Sequence, residues 1–153
     1  MKENKFHEII DFAIDREMEA VNFYYELQRS NDIKFEAQRE MLQELENMER
    51  GHILTLEKMR ARELDVSTIG RVKNLMISDY IVDEKVAPNS YQNILIIAMK
   101  REEKSKKLYE DLALKLGEED SELRNLFLRL AEEESSHKLK FEKLYDEYVN
   151  REN

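Results

Sequence analysis

An all-α four-helix bundle is what this sequence predicts, on three observations. Only three Gly and one Pro occur in 153 residues, so little interrupts a helix. Four long stretches carry apolar residues at helical spacing. The chain also repeats itself, because a shift of 85 residues lays Glu17 on Glu102, Glu49 on Glu134 and His52 on His137.

The first helix is expected over about 6–28, with Ile10, Ala13, Ile14, Val21, Tyr24 and Leu27 on one face. The second, over about 34–63, places Met41, Leu42, Leu45, Ile53, Leu56 and Met59 on its apolar side. The third begins after Pro88-Asn89 and runs to Leu116, using Ile94, Leu95, Ala98, Leu108 and Leu112. The fourth covers about 121–148, through Phe127, Leu130, Ala131, Phe141 and Leu144. Ser30-Asn31-Asp32 breaks the first pair, and Gly117 with Asp120-Ser121 breaks the second, as capping chemistry requires. Short links make each pair an antiparallel hairpin. The connection over about 64–89 is long enough to run the length of the bundle, with a short helix near 71–80. Helices two and three then lie parallel, the crossover topology of ferritin-like bundles.

The repeat extends well beyond the ligand candidates. Ala13 pairs with Ala98, Arg16 with Arg101, Tyr24 with Tyr109, Leu45 with Leu130 and Leu54 with Leu139, all without a gap. A duplicated hairpin explains this, with halves at about 6–64 and 91–149 inside one domain spanning 1–153, and it predicts a near two-fold relation between them.

Composition excludes several classes. A net charge of −9 repels phosphates, so no nucleic-acid partner is expected. Cysteine is absent, which rules out thiolate metal sites and iron–sulfur clusters within these residues. No window approaches the ~18 apolar residues of a membrane span. The first residues lack the apolar stretch of a signal peptide. A cytoplasmic protein is the expectation.

Charged residues sit where the apolar stripes do not want them. Glu17 lies among Ile10, Ala13, Ile14, Val21 and Tyr24; Glu102 among Leu95, Ala98, Met99 and Tyr109. Glu49 falls between Leu45 and Ile53, and Glu134 between Leu130 and Phe141. Within a hairpin, facing residues have numbers averaging to the turn. Glu17 and Glu49 average 33, Glu102 and Glu134 average 118, so each pair meets near one level. Residues at i and i+3 share a helix face, so His52 joins Glu49 and His137 joins Glu134. With 34 acidic residues in 153, one Glu-x-x-His is cheap; two in register with the repeat are not.

Four buried carboxylates need counter-charge. Two neutral imidazoles and two divalent cations give that balance, and the sulfur-free donor set suits iron or manganese, with zinc possible. Symmetry assigns Glu17 and His52 to one metal, Glu102 and His137 to the other, with Glu49 and Glu134 bridging both. Such a redox-active pair can hand two electrons to peroxide or dioxygen.

The stretches AIDREMEAVNFYYEL, ELENMERGH, AMKREEKSKKLYEDL and LAEEESSH resemble the four ligand-bearing helices of the rubrerythrin branch of the ferritin-like superfamily. The resemblance implies two iron ions, a homodimer, and reduction of hydrogen peroxide or oxidation of ferrous iron. It also implies that Tyr24 and Tyr109 hydrogen-bond metal-bound carboxylates. Rubrerythrins carry a rubredoxin-like domain built on cysteine pairs; without cysteine, electrons are expected from a separate carrier such as a rubredoxin-type protein. Many also carry an extra glutamate three residues after the third-helix ligand, where this chain has Ser105. Glu103 points roughly 100° away on the helix. The remaining six ligands look more like bacterioferritin-type ferroxidase centres. The leading expectation is thus a di-iron oxidoreductase; the alternatives are a ferroxidase for iron storage or detoxification, and a structural bundle holding an inert ion such as zinc.

Overall fold

The structure, a computed structural model, describes residues 4–31, 33, 35–62, 75–81 and 90–152. Four long helices account for most of them: α1 (Asn4–Gln28), α2 (Glu36–Arg60), α3 (Tyr91–Leu116) and α4 (Ser121–Glu152). No strand occurs among the described residues. The all-α four-helix bundle expected from sequence is the fold observed.

Helix directions follow from which residues meet. The most extensive packing is within the pairs α1–α2 and α3–α4. Across the pairs, Tyr24 reaches Glu102 while Tyr109 reaches Glu17, so α1 and α3 run antiparallel. His52 meets Glu134 while His137 meets Glu49, so α2 and α4 do as well. With α1 and α2 antiparallel through their short link, α2 and α3 are parallel, as the crossover requires. Each of these contacts also has its partner under the 85-residue shift, which is the signature of a local two-fold relation.

Only part of the crossover is described. Residues 77–80 form one turn of 3-10 helix, Ile77–Tyr80, at the end of the helix expected over 71–80. Leu75 and Met76 before it are not helical, Met76 being extended, and 71–74 lie outside the described residues. The turn is tied to α3: Tyr80 donates to Asp111 at 2.8 Å, and Lys104 Nζ donates to the Asp79 carbonyl at 3.1 Å.

Apolar burial divides into two clusters. One gathers Ile10, Ala13, Leu56, Leu112, Phe127 and Leu130; the other gathers Tyr24, Leu42, Leu45, Leu95, Ala98 and Phe141. The Glu and His residues singled out above fall, along every helix, between the residues of these two clusters. A polar layer is thereby clamped between two greasy ends.

The helix ends show two solutions to one problem. A helix terminus leaves carbonyls and amides without intrahelical partners. At the α3–α4 turn, Gly117 adopts φ 62°, ψ −156° and its N–H bonds the Ala113 carbonyl, a conformation glycine alone adopts cheaply. Asp120 Oδ1 then accepts from Leu123 N at 3.3 Å, capping α4. At the α1–α2 turn no glycine is present. Arg39 instead donates to the Gln28 carbonyl and, at 3.0 Å, to the Ile33 carbonyl. The α2 helix is shorter than the expected 34–63, because Phe35 is extended (φ −119°, ψ 138°) and Ala61 closes the last turn. The α4 helix continues past Tyr148 to Glu152, no Gly or Pro being present to stop it.

Candidate metal centre

All six predicted ligands arrive at one place. Glu17 comes from α1, Glu49 and His52 from α2, Glu102 from α3, and Glu134 and His137 from α4. None is more than 4% exposed. Two overlapping groups could each hold a metal ion: Glu17, Glu49, His52 and Glu134, then Glu49, Glu102, Glu134 and His137. Within each group, one donor atom per residue lies within 4.8 Å of the others. Glu49 and Glu134 belong to both groups.

The inward atoms are specific. His137 Nδ1 lies 2.7 Å from Glu49 Oε1 and 3.5 Å from Glu102 Oε2. His52 Nδ1 lies 3.0 Å from Glu134 Oε1, 3.5 Å from Glu17 Oε2 and 3.6 Å from Glu49 Oε1. The two imidazole planes are nearly parallel, 14° apart with centroids 5.8 Å from each other. Despite these short approaches, Glu17 Oε2, Glu49 Oε1, Glu102 Oε2, Glu134 Oε1 and both Nδ1 atoms are buried without a well-formed hydrogen bond. A buried polar atom in that condition costs about 1–3 kcal/mol, more when charged. Six of them converging could be satisfied by cations, since mixed carboxylate and imidazole donors suit divalent metal ions.

Glu46 is the contrast within the same helix. It too is buried, yet it accepts from Gln28 Nε2 at 2.9 Å and pairs with Arg50 at 2.9 Å. That is how a structural carboxylate is satisfied by its own chain. Among the described residues, no ion pair joins an arginine or lysine to any of the six.

Protons show the same frustration. Burial raises Glu102 to about 8, with the charge on Glu17 adding to it. Burial, then the Glu134 and Glu17 charges, push Glu49 well above the usual carboxylate range. Burial followed by Glu102 and Glu17 does the same to Glu134. Glu17 goes the other way: burial opposes ionisation, but its contacts to Glu49, His52 and Tyr109 prevail and bring it to about 2. Burial disfavours a charged His52, but Glu134 and Glu17 override this and raise it to about 11. Burial lowers His137 to about 4, and the charge on neighbouring His52 adds to that. Protons fill in for positive charge across the cluster.

The tyrosines serve the opposite hairpin. Tyr109 of α3 donates to Glu17 Oε1 of α1 at 2.6 Å, and Tyr24 of α1 donates to Glu102 Oε1 of α3. Each hydroxyl ties down one carboxylate oxygen and leaves the other facing the cluster.

One partner was not legible as such. The acidic run 132–134 reads from sequence as a solvated face with one inward member, Glu134. The structure adds Glu133, whose Oε2 lies 2.5 Å from His52 Nε2. The antiparallel register could have found it, because residue 133 sits beside the facing pair 52 and 134. A cleft of about 20 Å³ also reaches the cluster between α1 and α3. Buried Glu49, Glu102 and Glu134 share its lining with Ser105 and the half-exposed Arg16, Arg101 and Lys104.

Comparison with known proteins bears on one half directly. Residues 93–153 match the rubrerythrin family model. The matched segment carries Glu102, Glu134 and His137, so α3 and α4 form a rubrerythrin-like hairpin. Neither a curated protein nor a solved structure matches the chain. No helix among the described residues is long and apolar enough to cross a membrane.

Proposed function

We propose that the chain is a di-iron carboxylate oxidoreductase that reduces hydrogen peroxide or dioxygen, drawing electrons from a separate carrier. The observation that carries this reading is the convergence of six buried donor atoms, each without a hydrogen-bond partner. Glu17 and His52 would hold one ion and Glu102 and His137 the other, with Glu49 and Glu134 shared between the two groups. A ferrous pair there would supply the two electrons that, with two protons, take one peroxide to two waters.

The chain's own residues contribute orientation and exclusion. Tyr24 and Tyr109 hold Glu102 and Glu17 at one oxygen, which fixes the direction of the other. The two apolar clusters keep bulk water from the polar layer. The cleft beside Ser105 is about 20 Å³, while one water needs about 10–15 Å³, so it admits a molecule of one or two heavy atoms. Its lining mixes Arg16, Arg101 and Lys104 with Glu19, Glu49, Glu102 and Glu134, and Arg16 is paired with Glu19 at 2.8 Å. A small neutral oxidant and a ferrous ion are both compatible with this opening.

Ser105 sustains the ferroxidase alternative, since no extra glutamate breaks the six-ligand symmetry. The distinguishing experiment is rapid mixing of the anaerobic di-ferrous protein with peroxide and, separately, with oxygen. Peroxide oxidation much faster than oxygen oxidation, with turnover on an added rubredoxin-type donor, supports the peroxidase. Oxygen-driven oxidation of many ferrous ions per chain supports the ferroxidase. A protein that binds two zinc ions but reacts with neither oxidant when loaded with iron is a structural bundle. Homodimer formation and a cytoplasmic location belong to the same reading, checked by sedimentation and by fractionation.

A further inference from the structure

The internal repeat fails one residue before its bridging glutamates. Glu133 precedes Glu134, but the residue preceding Glu49 is Met48. Both occupy the same register across α2 and α4, since 52 and 133 sum to 185, as do 48 and 137. Their chemistry differs. Glu133 Oε2 lies 2.5 Å from His52 Nε2, the ring atom facing away from the cluster. His137 Nε2 is buried and makes no hydrogen bond. A thioether at residue 48 is at best a weak acceptor. The two imidazoles thus present the same Nδ1 inward and differ on their outer edge.

We infer that Glu133 is a positioning residue that makes the two metal positions unequal, so that the first divalent ion to bind settles on the His52 side. The inference rests on the two-metal reading above. A carboxylate accepting from Nε2–H fixes the tautomer whose Nδ1 lone pair faces the ion, holds the ring plane and makes the nitrogen a better donor. Partners of this kind are worth about 10–100-fold in metal affinity. On the His137 side the same tautomer leaves Nε2–H buried and unpaired, which costs rather than helps. Both effects point to the same order of filling. They also give a singly loaded protein one defined form in place of two.

Zinc is the probe, and the histidine ring resonances are the readout. The chain has three histidines, of which His7 lies outside the cluster. One equivalent of Zn²⁺ per metal-free chain shifts the His52 ring resonances, and the second shifts those of His137, with a bias of about 10–100-fold at the first step. Glu133→Ala makes both histidines respond together. Met48→Glu, which gives His137 a carboxylate in the same register, equalises them from the other side while Glu133 stays in place. Glu133 is 35% exposed, so its truncation leaves the helix intact, as circular dichroism will show. Simultaneous shifts in the unaltered protein, or an unchanged order in Glu133→Ala, overturn the inference. If neither ring responds by two equivalents, the two-metal reading itself fails, and the two failures are told apart.

Discussion

The hairpin α1–α2 and the hairpin α3–α4 each place two glutamates and a histidine in the cluster at the same spacing, yet they hold themselves together by different means. The first closes its turn with a side chain, Arg39, reaching back to the Gln28, Ser30 and Ile33 carbonyls. The second closes its turn with backbone, Gly117 at positive φ, and caps the next helix with Asp120. Outside the ligands, Glu133 supports His52 whereas Met48 stands at the matching place for His137. The rubrerythrin family model recognises only residues 93–153. The difference separates two demands on a duplicated sequence. Ligand geometry tolerates no slippage, because one residue rotates a helical side chain by roughly 100°. Turns and supports have several equivalent solutions and are free to diverge.

If the centre is shared equally, removing a bridge from either hairpin has the same consequence. Glu49→Ala and Glu134→Ala should each abolish binding of two metals per chain, measured as metal-to-protein ratio after anaerobic loading and desalting. Full occupancy in either variant would break the equivalence and the bridging assignment together. No other substitution should cost as much.

Metal removal tests the polar layer common to both halves. Metal-free protein should melt below the loaded form at neutral pH, by about 2.7 kcal/mol when free metal stands at 100 times its dissociation constant. The pH trend has a definite sign above 6.5. Glu102 is raised from 4.5 to about 8, chiefly by burial, and Glu49 and Glu134 are raised for the same first reason. His52 is raised from 6.5 to about 11 by Glu134 and Glu17 against the effect of burial. In all four the folded state keeps protons that the unfolded chain gives up, so stability falls as pH rises. Between 4.5 and 6.5, His137, lowered from 6.5 to about 4 by burial and by His52, opposes that trend. The clean window is therefore pH 6.5 to 8. Metal-free protein should lose stability across it in chemical denaturation, while the loaded protein does not; a flat metal-free profile would contradict the frustrated cluster.

The reciprocal tyrosines sharpen the comparison further. Tyr109→Phe strips Glu17 of a hydrogen bond, and Tyr24→Phe strips Glu102. Each leaves one buried carboxylate oxygen unpaired, a cost of about 1–3 kcal/mol, and loosens a ligand, at about 10–100-fold in metal affinity. Equal losses would show that the two-fold relation extends beyond the ligands. A loss confined to one variant would show a support specific to one hairpin, as at Glu133.

What could be read from sequence follows the same division. Helix positions, the parallel course of α2 and α3 and all six cluster residues were legible, because each depends on periodicity or on register about a turn. Glu133 was not, since in a run of three glutamates each looks solvated until the facing helix is known. Nor was Arg39: a cap supplied by a residue in the following helix carries no local signal, unlike Gly117. The expected end of α2 at 63 overshoots Arg60 because no glycine or proline follows Met59 closely enough to mark the stop.

The smallest effect belongs to the turns. Gly117→Ala puts a Cβ into open space, with nothing within 4 Å, so the cost is one of backbone conformation alone. At φ 62°, ψ −156°, a region that essentially only glycine populates, that is about 1–3 kcal/mol. The lost stability should appear in denaturant midpoints with metal stoichiometry unchanged, because the turn is remote from Glu102 and Glu134 along both helices. Arg39→Ala in the first hairpin should cost a similar amount for a different reason, leaving the Gln28 and Ile33 carbonyls to water. If either substitution also reduced metal binding, the turn would be setting the register of the ligands rather than merely closing the hairpin, and the separation of the two demands would fail for that half.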